Sequence, residues 1–125
     1  MSSGERVESE CFETWREGGL TVQKIKRYAT VDAAAARVSL ENIATVNQGG
    51  RYPLMVDIRE PASISAEARA LYAGEDAAHL STRVALLQGS TVTAIAGNLF
   101  VKLNRPPVET KIFTSEDAAR EWLFR

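Results

Sequence analysis

The residues of this chain best placed to do chemistry lie between Tyr52 and Arg69, in the segment YPLMVDIREPASISAEAR. An apolar run, Leu54-Met55-Val56, ends in Asp57, with Arg59 two residues on. A polar loop carrying Ser63 follows, and Ser65 then opens a helix that carries Arg69. In open α/β sheets, ligands and partners gather where a buried strand hands over to a helix N-terminus. A phosphate on Ser65 or Ser63 would bring about two negative charges to that place. Helix N–H groups and Arg59 would hold it, and Asp57 and Glu60 would oppose it. The plainer role of Ser65 is that of a helix cap, for which serine is a common choice. Asp57, Arg59, Ser63, Ser65 and Arg69 are therefore the candidate binding or regulatory set.

Other chemistry is poorly supported. His79 is the lone histidine and has no second His or Cys at ligand spacing, so no metal site is expected. No nucleophile with an adjacent base is recognisable, and no carboxylate pair is marked out, so no enzyme is expected. Gly49-Gly50 lacks the spacing of a phosphate or dinucleotide loop, and no cofactor is expected. Cys11 is the only cysteine, which excludes an internal disulfide; beside Phe12 it reads as a packed structural thiol. The net charge of −1 argues against nucleic acid, and Lys24, Lys26 and Arg27 read as a solvated strand face. Met1 to Glu10 is polar, and no apolar run approaches the roughly 20 residues of a membrane span, so a cytoplasmic protein is expected.

The elements that must position these groups are legible in outline. With 125 residues, 45% of them apolar, the chain is long enough for one domain with a real core. Residues 1–9 read as a disordered tail and 10–125 as the domain. Cys11–Arg16 and Leu20–Arg27 read as strands joined at Glu17-Gly18-Gly19; Ile25 breaks the alternation set by Leu20 and Val22, which a bulge or an exposed edge would explain. Asp32 caps a helix with Ala33, Ala36, Leu40 and Ile43 at helical spacing, stopped at Gly49-Gly50. Leu54–Ile58 and Val84–Leu87 lack alternation, as strands covered on both faces do. Ser65 caps a helix through Tyr72, with a helical turn in Glu75–Ser81. Glu109–Phe113 is a further strand. Thr114 with Asp117 resembles a capping box for a last helix that buries Ala118, Ala119, Trp122 and Leu123. The order β-β-α-β-α-β-α-β-α predicts an α/β layer fold with right-handed crossovers and a sheet made mixed by its opening hairpin.

The helix expected over Thr91–Asn104 is apolar on two sides. Val92, Ile95, Ala96, Leu99 and Leu103 form the core stripe, and Ala94, Gly97 and Val101 lie almost opposite, with Phe100 on the flank. Such a helix is buried on both sides or covered by a partner, and a homodimer is the simplest version.

With these residues placed, the chain resembles the STAS/SEC14-like family, also called SpoIIAA-like after the anti-sigma-factor antagonists. The likeness rests on Pro53-Leu54-Met55-Val56-Asp57, Ser63-Ile64-Ser65 with Ala68-Arg69, and Val84-Ala85-Leu86-Leu87. It continues through Gly97-Asn98-Leu99-Phe100, Asn104-Arg105-Pro106-Pro107, Thr110, Phe113-Thr114 and Ala118 with Trp122-Leu123. The resemblance implies a mixed sheet with helices packed against it, and a non-enzymatic role. In the antagonists a Ser or Thr at the start of the helix after this strand is phosphorylated by a partner kinase. Ser65 sits at the matching place, although Ala62-Ser63-Ile64-Ser65-Ala66 departs from their Asp-Ser-Ser/Thr-Gly-like signature. The leading expectation is a regulatory module that binds a regulatory protein. The alternative is a SEC14-like binder of an apolar or acyl ligand beside Phe100, with Asn98 or Asn104 in polar contact. A lined apolar cavity would favour that alternative.

Overall fold

In the computed structural model, which describes residues 5–89 and 104–125, a two-residue turn sets the first hairpin. Gly18 takes a φ of 58°, so β2 (Phe12–Glu17) folds directly onto β3 (Leu20–Ile25), with Glu17 opposite Leu20. The ladder is regular from Phe12–Ile25 to Glu17–Leu20, so neither a bulge nor an exposed edge explains Ile25. The strand is covered on both faces: Leu20 and Val22 enter one core and Ile25 the other.

The disordered tail expected over residues 1–9 is corrected at its described end. Arg6–Glu8 forms β1, antiparallel to β2, with the Arg6 guanidinium 4.5 Å from the centre of the Trp15 ring. A three-residue polar edge strand carries no periodicity of its own; its pairing supplies the structure.

Asp32 and Ser65 cap as expected. Asp32 ends the short strand β4 (Thr30–Val31) and accepts from the Ala35 N–H at 2.9 Å, opening α1 (Ala33–Asn47). Then come β5 (Tyr52–Ile58), β6 (Ser63–Ile64), α2 (Ala66–Tyr72), the single turn α3 (Glu75–Ala78) and β7 (Ser81–Gln88). After residues 90–103, β8 (Thr110–Phe113) leads into α4 (Glu116–Leu123). The cap of α4 is Ser115, whose hydroxyl accepts from Ala118, and not Thr114. Ala118, expected in the core, is exposed, because the buried stripe at helical spacing is Ala119, Trp122 and Leu123.

The main sheet is mixed, in the order β1-β2-β3-β5-β7-β8, antiparallel through β3 and parallel from there. Because β3, β5 and β7 neighbour one another in chain order, right-handed crossovers put their connecting helices on one face. There Ala36 of α1 and Ala68 of α2 meet Phe12, Ile25, Ile58 and Leu86. Helix α4 follows the last strand and covers the other face, where Trp122 and Leu123 meet Val22, Met55, Ala85 and Leu87. A second, two-stranded parallel sheet pairs β4 with β6 and ties the loop before α1 to the loop before α2.

Candidate functional site

Strand parity decides where the candidate residues go. On β5, Leu54, Val56 and Ile58 face the α1/α2 side, and Met55 and Asp57 face α4. Asp57, buried, is locked there by Arg59: Oδ1 accepts from the Arg59 backbone N–H and Nε, both at 3.0 Å, and Oδ2 from Nη2 at 2.8 Å. Arg59 also reaches Glu116 of α4 at 3.5 Å, so its charge is committed to two carboxylates. Gly89 passes against Arg59; a Cβ there would stand 3.1 Å from the Arg59 Cβ and 3.2 Å from its Cα. Burial pushes the Asp57 carboxyl up, but the hydrogen bonds from Arg59 and the charges of Arg59 and Lys24 outweigh it and hold its pKa below the ordinary value.

That geometry gives a signed prediction. A carboxyl depressed on folding contributes stability above its unfolded pKa and loses it as pH falls through the folded one. Asp57→Asn should therefore cost about 1–2 kcal/mol at pH 7. The gap from wild type should close on acidification, read as urea midpoints against pH. A constant gap would show that shape, not charge, is what Asp57 supplies.

Ser63, Ser65 and Arg69 lie elsewhere. Ser65 Oγ accepts from the Ala68 N–H at 3.1 Å, a cap in the ordinary sense. Ser63 is exposed on β6, and the Ser63 and Ser65 amides donate to Ala29 and Val31 across the small sheet. These bonds fix a rim of two segments, residues 27–31 and 59–65. Tyr28 stands on this rim with 72% of its surface exposed and a φ of 64°, and its N–H donates to the Pro61 carbonyl at 2.6 Å. The Arg27 guanidinium lies 5.0 Å from the Tyr28 ring and 3.7 Å from Glu60. Tyr28 is the residue sequence reading missed. A non-glycine residue at positive φ is uncommon, and an aromatic one marks a backbone held by its surroundings.

Arg69 points to neither serine hydroxyl. Its Nη1 donates to the Ile64 carbonyl at 3.0 Å, and its buried Nε has no partner among the described residues. It lines a cavity of about 100 Å³ between the sheet and α1 to α3, walled by Leu54, Val56, Ile64, Tyr72, Val84 and Leu86 among others. Burial pushes the Tyr72 phenol up to about 12, so it stays neutral. Of the second candidate face, Ala94, Gly97, Asn98, Phe100 and Val101 lie outside the described residues, while Asn104 is half-buried beside Pro106 and Pro107 of the cavity wall. Cys11 is half-buried, with its thiol pushed up by burial and 3.8 Å from the Thr30 carbonyl. His79 is exposed at the end of α3. Among the described residues, no three His, Cys, Asp or Glu side chains cluster as a metal site, and no helix is long and apolar enough to cross a membrane.

The family described as a domain of unknown function, DUF7793, matches residues 14–125. The chain belongs to that family. This DUF7793 domain is similar over 98% of both chains to a crystal structure from Shewanella loihica PV-4, with a TM-score of 0.62 at 19% identity. That protein is described as an uncharacterised member of the DUF3478 family with a SpoIIAA-like fold, and the DUF7793 domain shares that fold. A protein of unknown function from Arthrobacter sp. FB24 is 31% identical over 94% of this chain and 95% of its own, with a TM-score of 0.36. No curated protein matches the DUF7793 domain.

Proposed function

We propose that this domain is a non-catalytic regulatory module that binds a protein partner through the rim formed by residues 27–31 and 59–65. The observation that carries the reading is Tyr28, a largely exposed aromatic side chain on a backbone pinned to Pro61. Tyrosine and arginine are enriched at interface hot spots, and tyrosine brings its area at little entropic cost. Arg27 stacks beside Tyr28, and Glu60 and Ser63 flank it, so an apolar anchor stands within a polar border. The SpoIIAA-like fold is consistent with such a role by analogy.

Ser65 supplies the regulatory element of this reading. A negative charge on it would bring further acceptor oxygens to the N–H groups at the start of α2, where Ser65 now accepts from Ala68, and would place the charge beside the rim. The test is capture from a lysate of the native host with wild type, Tyr28→Ala and Ser65→Glu as baits, followed by affinity measurement on the protein captured. Tyr28→Ala should weaken binding at least tenfold, the scale of an interface hot spot. Ser65→Glu should change affinity while the circular dichroism spectrum stays that of wild type. A partner held equally by all three baits would refute the proposal.

A further inference from the structure

The cavity beneath α2 is unlike the rim, and the inference drawn from it does not depend on the rim's role. Its described walls are almost wholly apolar, with Gln23, Tyr72, Ser81 and Thr110 as neutral polar groups. Arg69 is the one charged side chain among the described lining residues. No described carboxylate lies within ion-pair distance of it, and its Nε is buried and has no partner among the described residues. A buried N–H of a cation left unpaired is costly, and an unsatisfied donor in a native structure calls for an explanation. An acceptor brought by a ligand is a direct one.

We propose that the cavity binds a short-chain carboxylic acid as its anion, with the carboxylate accepting from Arg69 Nε and the alkyl tail lying along Leu54, Val56, Val84 and Leu86. The volume limits the tail. At about 100 Å³ the space is smaller than the engineered cavity of about 150 Å³ that takes up benzene. The charge selects the head. A guanidinium offers parallel N–H groups that match a carboxylate, and a single negative charge costs less to desolvate than a phosphate. The neutral phenol of Tyr72, one turn along α2 from Arg69, adds no repulsion.

The probe is propionate, titrated against the full chain by calorimetry and by methyl NMR, with 1-propanol as the uncharged comparison. Wild type should bind propionate at least tenfold more tightly than 1-propanol, with shifts concentrated in the methyl groups of Leu54, Val56, Ile64, Val84 and Leu86. Arg69→Gln should lose most of that preference and retain the binding of 1-propanol. Val84→Phe, which fills the cavity, should abolish both. The shift map on wild type stands by itself if Arg69→Gln fails to fold. Absence of binding, equal affinity for propionate and 1-propanol, or shifts away from these methyl groups would overturn the proposal. Partner capture at the rim is read in a different experiment, so either idea can fail alone.

Discussion

Phe12→Ala should destabilise the domain by about 3–5 kcal/mol and open the rim before it unfolds the rest. Phe12 has no exposed surface, stands opposite Ile25 in the hairpin, and shares one core cluster with Val31 and Ala68, against which Ile64 packs. Val31 and Ile64 are one of the two residue pairs of the small sheet, and both pack in the cluster of Phe12, so the aromatic ring supports the bonds that join the two rim segments. Removing it takes away the buried area and leaves a void that only partly collapses. A loss of this size is a large share of the roughly 5–15 kcal/mol that holds an ordinary domain together. The comparison is Trp122→Ala, which should cost about as much but empties the opposite face of the sheet. Hydrogen exchange separates the two. In Phe12→Ala, the Ser63 and Ser65 amides should exchange faster than those of β7; in Trp122→Ala, the rim should keep its rank relative to the sheet. If both variants loosened the rim equally, the small sheet would not depend on the Phe12 cluster, and the rim's rigidity would need another source.

The same packing explains what the sequence could and could not disclose. Caps at Asp32 and Ser65, the turn at Gly18-Gly19 and the unalternating strands around Val56 and Leu86 were legible because each is fixed by residues close in the chain. The grouping of Asp57 and Arg59 with Ser65 was not fixed that way. Both lie within eight residues of Ser65, but strand parity sends Asp57 to the α4 face, where Glu116 completes the set. That signal was available: once three parallel strands follow in order, residues alternating with Val56 must face away from α1 and α2. Tyr28 offered no comparable clue. Glycine or asparagine would announce a left-handed turn, whereas here the Pro61 carbonyl, distant in sequence, holds the backbone in place. The cap at Ser115 in place of Thr114 is a choice between adjacent hydroxyls that local sequence does not decide.

Gln23 is the other site where a single change should have a large effect. It sits on β3 beneath α1, with 1% of its surface exposed, at a position that the alternation of Leu20 and Val22 would assign to solvent. Helix α1 covers it instead, so every polar atom of the amide must find a protein partner. Its Nε2 donates to Thr14 Oγ1 at 3.0 Å and to the Ser39 carbonyl at 3.1 Å, and its Oε1 accepts from Ser39 Oγ at 2.5 Å. Thr14 and Ser39 are themselves fully buried, so no water stands ready to replace the amide. Gln23→Ala should cost about 3 kcal/mol or more, since a void is added to the stranded hydroxyl of Ser39 and the lost donor to Thr14. The origin of the cost is tested by a cycle. Gln23→Leu keeps most of the volume and should still destabilise, because Ser39 Oγ then loses its acceptor. Adding Ser39→Ala removes that orphan, so the double variant should be more stable than Gln23→Leu alone. Urea unfolding of the four proteins reads the coupling directly. Additive losses would mean that Ser39 finds another acceptor and that Gln23 matters only for its volume. A favourable coupling would establish that the polar layer under α1 is sustained as a unit, fixing the register of the helix that forms one wall of the cavity.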